Sequence, residues 1–192
     1  GNETSLPGVE YRPVIAKDGS EILFIHKAKP EGFESRLMLK TAELDDAVLV
    51  HEFSGQVNAM AWSNDKQHIA LAIQNNEECQ VYLLQLSDKL AESAANNLTP
   101  LFSCIPYAPI QIEWSSSGES LFVLKTPSSE LFTPNVFKFN WLNGLFRNAP
   151  VTSLDEVHGF SRALTSDELV LFRNIDEQTS EVWLSLPDKG ER

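Results

Sequence analysis

The chain has 192 residues, of which 42% are hydrophobic and 22% are charged, and these values are ordinary for one or two folded domains. Its 15 basic and 27 acidic residues give a formal net charge of -12. A surface this acidic repels phosphate backbones, and no apolar run approaches the ~20 residues of a membrane span, so we expect neither direct nucleic-acid binding nor a membrane helix in this segment.

A pattern of about fifty residues recurs along the chain. Its copies read "IAKDGSEILF" from Ile15, "WSNDKQHIAL" from Trp62, "WSSSGESLFV" from Trp114 and, less clearly, "RALTSDELVL" from Arg162. The starts are 47, 52 and 48 residues apart. A fixed period in this range predicts a repeat architecture.

Each copy predicts the same short strands in the same order. A lead-in strand is followed by a tight turn at Asp18-Gly19, Asn64-Asp65 or Ser117-Gly118, and then by a strand buried on both faces. A third strand follows in every copy and a fourth in three copies. The clearest hairpin signal is Asn143-Gly144 in the third copy, before a fourth strand predicted over 145–151. We therefore predict an all-β fold, a β-propeller of about four four-stranded antiparallel blades. A β-sandwich is the alternative.

The repeat sets the expected domain organisation, which is a single propeller-type domain over residues 1–192. The predicted blades are 7–54, 55–105, 106–154 and 155–192, with residues 1–6 as the stub of an outer strand and a helical turn within 87–97. The fourth blade is predicted to lack an outer strand. The open ends either close a ring together or belong to a larger ring, because unpaired sheet edges invite aggregation.

The two cysteines stand at positions that would be neighbours in the second blade. Cys79 begins the predicted third strand and Cys104 ends the fourth, and pairing them sets Val81 opposite Phe102. A disulfide here would close a loop of roughly 26 residues and stabilise the fold by about 3.5 kcal/mol in the chain-entropy model. It would indicate an oxidising compartment. Two free thiols in a cytosolic protein are the alternative.

The sequence shows no constellation of residues that carries chemistry. There is no nucleophile elbow, no phosphate-binding glycine pattern and no Cys-x-x-Cys pair, and the histidines lack metal-ligand spacing. We therefore predict no catalytic, cofactor-binding or metal-binding residues, and no enzyme activity.

The loops that join one blade to the next are the predicted partner-binding surface, since propellers often bind at this end. These loops are Pro7–Glu10, Ser54–Gln56, Pro106–Pro109 and Asp155–His158. The residues expected to surround the axial opening are Glu10, Gln56, Tyr107 and His158. Among the tryptophans, Trp62 and Trp114 are expected to pack between blades, and Trp141 and Trp183 to be partly exposed on third strands.

The segments "YRPVIAKDGSEILF", "AMAWSNDKQHIALAI" and "IQIEWSSSGESLFVL" resemble the TolB-type, WD-like propeller repeat. The usual Ser-Pro-Asp-Gly core is replaced by Ala-Lys-Asp-Gly, Ser-Asn-Asp-Lys and Ser-Ser-Ser-Gly. The resemblance covers nearly the whole chain and implies the fold. It leaves the function open, because this repeat occurs in transport accessories, peptidase propellers and sensors.

A narrower resemblance concerns "LPGVEYRP" and "ECQVYLLQL" with "FSCIPYAPIQIEW". These segments are similar to the periplasmic part of membrane-anchored transcriptional regulators of the CadC/ToxR type. The resemblance implies a sensory or protein-interaction domain in the periplasm, joined to a membrane helix and a DNA-binding domain outside this sequence. Its signal, a protein or a small molecule, is undefined, and an oligomer is possible. The alternatives are the propeller of a serine peptidase and a TolB-like periplasmic transport accessory or scaffold.

Overall fold

A computed structural model describes residues 13–16, 18–27, 34–41, 46–86, 98–126, 134–147, 150–151, 157–162, 166–174 and 180–185. Every regular element within these ranges is a β-strand. No helix in the described part of the chain is long and apolar enough to cross a membrane. The predicted stub at residues 1–6 and the predicted helical turn at 87–97 lie outside the described residues.

The described strands form four antiparallel sheets, which we call blades 1 to 4. Blade 1 contains β1 (Val14–Ile15), β2 (Glu21–Lys27), β3 (Glu34–Thr41) and β4 (Val48–Ser54). Blade 2 contains β5 (Gln56–Trp62), β6 (His68–Asn75), β7 (Glu78–Gln85) and β8 (Leu98–Cys104). Blade 3 contains β9 (Gln111–Trp114), β10 (Ser120–Lys125), β11 (Asn135–Asn140) and β12 (Leu145–Phe146). Blade 4 contains β13 (Val157–Arg162), β14 (Leu169–Asn174) and β15 (Ser180–Ser185). The predicted all-β, four-blade arrangement is confirmed.

The turn between the first and second strands has the same backbone hydrogen bonds in blades 1, 2 and 3. In blade 1, Ala16 N donates to Glu21 O at 2.9 Å and Gly19 N donates to Ala16 O at 2.8 Å. The equivalent bonds join Ser63 N to His68 O, Lys66 N to Ser63 O, Ser115 N to Ser120 O and Gly118 N to Ser115 O. The fourth turn residue has a positive φ each time: 72° at Gly19, 62° at Lys66 and 76° at Gly118. The repeated turn signal thus encodes one repeated conformation.

Polar contacts link these turns from blade to blade. Lys66 Nζ lies 2.9 Å from Asp18 Oδ2 of blade 1, and this ammonium group holds the pKa of Asp18 well below its ordinary value. Asn64 Nδ2 donates to Ser116 O at 3.3 Å, and Ser116 N donates to Asp167 Oδ1 at 2.7 Å. Lysine therefore occupies a position that glycine fills in blades 1 and 3, and its side chain bridges to the preceding blade.

The second strands of blades 2 and 3, β6 and β10, are buried on both faces because their alternate side chains pack on opposite neighbouring blades. Three clusters result: Leu23 and Ile25 pack with Ile69 and Leu71, Ala70 and Ala72 with Leu121 and Val123, and Phe122 and Leu124 with Leu169 and Leu171. All these residues are at most 3% exposed. This double burial explains the nearly continuous hydrophobic runs in the sequence.

The tryptophans that end the first strands pack between blades, as predicted. Trp114 is 2% exposed, and its Nε1 donates to Ala61 O of blade 2 at 3.1 Å. Trp62 packs against the cluster between blades 1 and 2. Trp141 is half-buried, but it lies in the turn after β11 and not on the third strand as predicted, and its Nε1 donates to Gly118 O at 2.9 Å. Trp183 lies on β15, and its side chain is outside the described set.

The outer strand of blade 3 is shorter than predicted. The sequence predicted a strand over 145–151, but β12 covers only Leu145–Phe146. Beyond it, Arg147 N donates to Lys138 O and Val151 N donates to Val136 O, both at 2.8 Å. The chain still follows β11 at these points, but the pairing is irregular.

Gly55 alone connects blade 1 to blade 2, because β4 ends at Ser54 and β5 begins at Gln56. The predicted loop over 54–56 is therefore a single residue. Its φ is 136°, and a Cβ added there would lie 2.7 Å from both Gln74 O and Ile73 Cγ2. No side chain fits this position without movement of the neighbouring blade-2 strand, so only glycine allows so short a connection.

Candidate partner-binding site

The first strands of blades 2, 3 and 4 run in the same direction, so their starting residues share one end of the molecule. Trp114 at the end of β9 bonds to Ala61 near the end of β5, and Gln111 at the start of β9 bonds to Phe160 of β13. Three predicted residues, Gln56, Tyr107 and His158, belong to this end, which we call the axial end. Glu10 lies outside the described residues.

Two of the predicted residues are brought together around Gln74 of β6. Gln56 pairs with Gln74 in the sheet register, and Tyr107 N donates to Gln74 Oε1 at 3.1 Å. His158 is exposed and lies at a register shift between Val157 and Gly159. Gln56 and His158 are thus in strands β5 and β13, whereas the sequence predicted loops, because the blade junctions are tighter than the pattern suggests.

Tyr107 is the most exposed large hydrophobic side chain in the described part of the chain, at 81% exposure. Its φ of 60° is in the left-handed region, which costs a residue with a Cβ roughly 1–2 kcal/mol. Its hydroxyl donates to Asn76 O at 3.3 Å, and Ala108 N closes the turn onto Ile105 O at 3.3 Å. Strained backbone and an exposed tyrosine together are typical of a contact surface.

Gln74 holds this loop and was not singled out by the sequence. It is 7% exposed, and its Oε1 also accepts a hydrogen bond from Asn58 Nδ2 at 2.9 Å. Its Nε2 donates to Asn76 O at 3.3 Å. The sequence signal is one glutamine at the end of the apolar strand "HIALAIQN", where a buried amide must find partners.

Two further side chains join the first strands of blades 3 and 4, and the sequence analysis missed both. Gln111 Oε1 accepts from Phe160 N at 3.1 Å, and its Nε2 donates to Phe160 O. Glu113 Oε2 accepts from Arg162 N at 2.8 Å. The side chains of Gln111 and Glu113 thus bond to the backbone of β13, and they join the first strands of two different blades. Their signal is the alternation of polar residues in "IQIEW", a strand whose other residues are apolar.

Burial raises the pKa of Glu113 above its ordinary value of 4.5. The hydrogen bond from Arg162 N, the charge of Arg162 and the hydrogen bond from Gln111 oppose this rise without cancelling it. A carboxyl whose pKa is raised by folding binds its proton more tightly in the folded state. Its contribution to stability is therefore full below pH 4.5 and is lost as the pH rises through the folded-state pKa.

The Glu113→Gln substitution tests this linkage. We expect the free energy of unfolding of the wild type to rise, relative to that of the variant, as the pH falls from 7 towards 4, because only the wild type gains a proton at this position on folding. Urea denaturation of both proteins at each pH measures the difference. All other carboxyls are present in both proteins, so their contributions cancel in the difference between the two free energies of unfolding. If the difference in unfolding free energy does not change with pH, or if it shifts in favour of the variant at low pH, the raised pKa of Glu113 is contradicted.

The predicted disulfide is present. Cys79 and Cys104 are bonded with a Cα–Cα distance of 4.9 Å, and Val81 lies opposite Phe102 in the β7–β8 register, as predicted. The bond joins the third and outer strands of blade 2. Neither cysteine is free.

A cleft of about 210 Å³ lies between β4 of blade 1 and the facing side of blade 2. Its lining residues are His51, Glu52, Phe53, Ser54, Ile73, Asn75, Glu78, Gln80, Tyr82 and Leu98. Burial lowers the pKa of His51, so its imidazole is neutral at pH 7, and Glu52 is engaged by Arg36 at 2.7 Å. The cleft is lined by both polar and apolar side chains.

The histidines do not converge on a site. His26 lies on β2, and His68 packs beside the rings of Trp141 and Trp114, with centroids 5.2 and 6.2 Å away. Within the described ranges, no group of three or more His, Cys, Asp or Glu residues could hold a metal ion.

Neither a protein-family model nor a curated protein matches the sequence. Solved structures do match. TolB from Acinetobacter baumannii aligns with a TM-score of 0.72 and 12% identity, over 94% of this chain and 42% of that one. The β-propeller domain of the Trilobed protease from Pyrococcus furiosus aligns with a TM-score of 0.60 and 12% identity, over 93% of this chain and 55% of that one. This chain has the β-propeller fold.

A third similar structure, a putative TolB from Agrobacterium tumefaciens, aligns with a TM-score of 0.62 and 13% identity, over 88% of this chain and 58% of that one. The propeller chain therefore spans about half the length of these solved structures. Identities of 12–13% support a shared fold and no shared activity.

Proposed function

We propose that this propeller is a non-catalytic binding module of an extracytoplasmic compartment. The Cys79–Cys104 disulfide carries the proposal, because disulfides persist in oxidising compartments and are rare in the cytosol. The net charge of -12 also disfavours a direct role on nucleic acid or on anionic lipid.

The partner surface in this proposal is the axial end around Tyr107 and Gln74. An aromatic ring that is 81% exposed, on a backbone fixed by a buried amide, loses little conformational freedom when a partner covers it. Gln56 and His158 are exposed residues of the same end. The partner is a signal protein or a small molecule, and no cofactor is needed.

In the full-length protein, we infer that the module is the periplasmic sensory part of a membrane-anchored transcriptional regulator. The support is the resemblance of the segments around Tyr11 and between Cys79 and Trp114 to regulators of the CadC/ToxR type. Membrane attachment and DNA binding then belong to other segments of the native protein.

Topology labelling in native cells tests the compartment. The Cys79→Ser variant leaves the half-buried Cys104 as the one thiol of this segment. We expect a membrane-impermeant maleimide to label the Cys104 peptide of the full-length variant while the inner membrane is intact. Wild type, with its disulfide, is the unlabelled control, and a lysed sample shows maximal labelling. Labelling that appears only after lysis contradicts the proposal.

A second candidate is the propeller of a serine peptidase or a TolB-like transport accessory. The observation in its favour is the structural similarity to the Trilobed protease propeller and to two TolB structures. The reading frame of the native gene separates these candidates. A membrane helix and a DNA-binding domain support the regulator, whereas a hydrolase domain with a nucleophile elbow supports the peptidase.

A further inference from the structure

The cleft between blades 1 and 2 shares no residue with the surface assigned above to a partner at the axial end. Strand β4 forms one wall, with His51 and Phe53, and strand β7 forms the other, with Gln80 and Tyr82. Its volume of about 210 Å³ is below the roughly 300–1,000 Å³ of pockets that hold drug-sized molecules. This volume limits a ligand to about one substituted ring.

Several polar side chains that line the cleft have hydrogen-bonding capacity that the described part of the protein does not use. Within that part, the side chains of Asn75, Glu78 and Tyr82 make no hydrogen bond to another residue. The ring of His51 packs on that of Phe53, with centroids 4.6 Å apart. Burial lowers the pKa of His51, so its imidazole is neutral at pH 7 and has one donor and one acceptor nitrogen. Four side chains can therefore bond to a molecule in the cleft.

The β7 wall of the cleft is fixed by the strand beside it. Glu78, Gln80 and Tyr82 alternate along β7 and so share one face of that strand. Ser103 Oγ of β8 donates to Gln80 Oε1 at 3.0 Å. The Cys79–Cys104 disulfide ties the same stretch of β7 to β8. Because this wall is already ordered, a ligand loses little binding free energy to ordering it.

The charges of the cleft favour a neutral ligand. No lysine or arginine is among the described residues that line it, so an anion finds no opposite charge. Of its two carboxylates, that of Glu52 is paired with Arg36 Nε at 2.7 Å, and Glu78 is exposed. One exposed ion pair contributes little to the binding of a cation. The described residues also contain no group of three or more possible metal ligands.

We propose that this cleft binds a neutral monosaccharide. Sugar hydroxyls both donate and accept hydrogen bonds, as do the imidazole of His51, the amide of Asn75 and the phenol of Tyr82. The ring of Tyr82 and the apolar side chains of Ile73 and Leu98 would cover the C–H face of the sugar. This site does not depend on the compartment or on the axial partner, so it and the proposed function can fail separately.

Saturation-transfer NMR on the purified chain detects such a ligand even when binding is weak. The neutral probes are glucose, galactose, mannose and N-acetylglucosamine, and the charged probes are glucosamine and glucuronate. We expect at least one neutral sugar to receive saturation from the wild type, and to bind more tightly than either charged probe.

Variants of the cleft locate the bound sugar. Asn75→Ala removes an exposed amide, and Tyr82→Leu removes the phenol while keeping apolar bulk against the core, so we expect both variants to fold and each to lose roughly tenfold in affinity. Gln85→Ala is the matched control, because Gln85 is an exposed amide on the same strand that does not line the cleft, and its affinity should be unchanged.

Two kinds of result overturn the proposal. One is that none of the neutral probes binds the wild type, or that glucosamine or glucuronate binds more tightly than every neutral probe. The other is a sugar whose affinity Asn75→Ala and Tyr82→Leu leave unchanged, with circular dichroism showing that both variants are folded, because the sugar then binds elsewhere on the chain.

Discussion

The Gly55→Ala variant is expected to be about 3 kcal/mol less stable than the wild type, with a melting temperature lower by roughly 6–12 °C. The added methyl group would sit 2.7 Å from Gln74 O and from Ile73 Cγ2, far inside van der Waals contact. The positive φ of 136° adds backbone strain. The single-residue junction cannot move without shifting β4 or β5. Urea and thermal denaturation measure the loss.

Gly118→Ala is the matched control for this prediction. Gly118 also has a positive φ, 76°, but no atom lies within 4 Å of its added Cβ. Alanine at position 118 therefore costs only the backbone strain of a positive φ, about 1 kcal/mol. Equal losses at the two positions would show that the close approach of blades 1 and 2 at Gly55 is not present in solution.

The Phe122→Ala variant is expected to lose about 3–5 kcal/mol of stability. Phe122 is fully buried in the cluster between blades 3 and 4, which includes Leu124, Val136 and Leu171. Removing the ring leaves a cavity between two sheets that are each pinned by their own hydrogen bonds, so the site collapses only partly. The urea midpoint, with an unchanged slope, reports the loss.

Leu142→Ala provides the comparison for an apolar residue outside the core. Leu142 is 64% exposed, so its removal is expected to change stability by no more than about 0.5 kcal/mol. If Phe122→Ala were as mild as Leu142→Ala, the packing of blade 3 on blade 4 would be wrong.

The local sequence pattern was sufficient to predict the features that depend on residues within a single blade. The pairs Asp18-Gly19 and Ser117-Gly118 predicted tight turns, and the antiparallel order of the third and fourth strands placed Cys79 beside Cys104. These features depend on residues a few positions apart or on one hairpin, so they can be predicted from the local sequence. Because the pattern recurs, the strand order predicted for one blade could be applied to all four.

Contacts between blades could not be predicted from the sequence because they join residues on different strands that are far apart in the chain. Nothing local to Gly55 shows that Ile73 and Gln74 approach it, and nothing in "IQIEW" names Phe160 or Arg162 as partners. Tyr107, whose backbone is left-handed, also donates its N–H to a distant residue, Gln74. The hydrogen bonds around Gln74 that shape the axial end could not be predicted from the sequence.

The number of free thiols in this chain, isolated from its native cells under acid trapping and unfolded without reductant, tests the extracytoplasmic assignment most directly. We predict none, with a single peptide pair linking Cys79 to Cys104 in the mass spectrum, and two after reduction. Two free thiols before reduction would contradict an oxidising compartment.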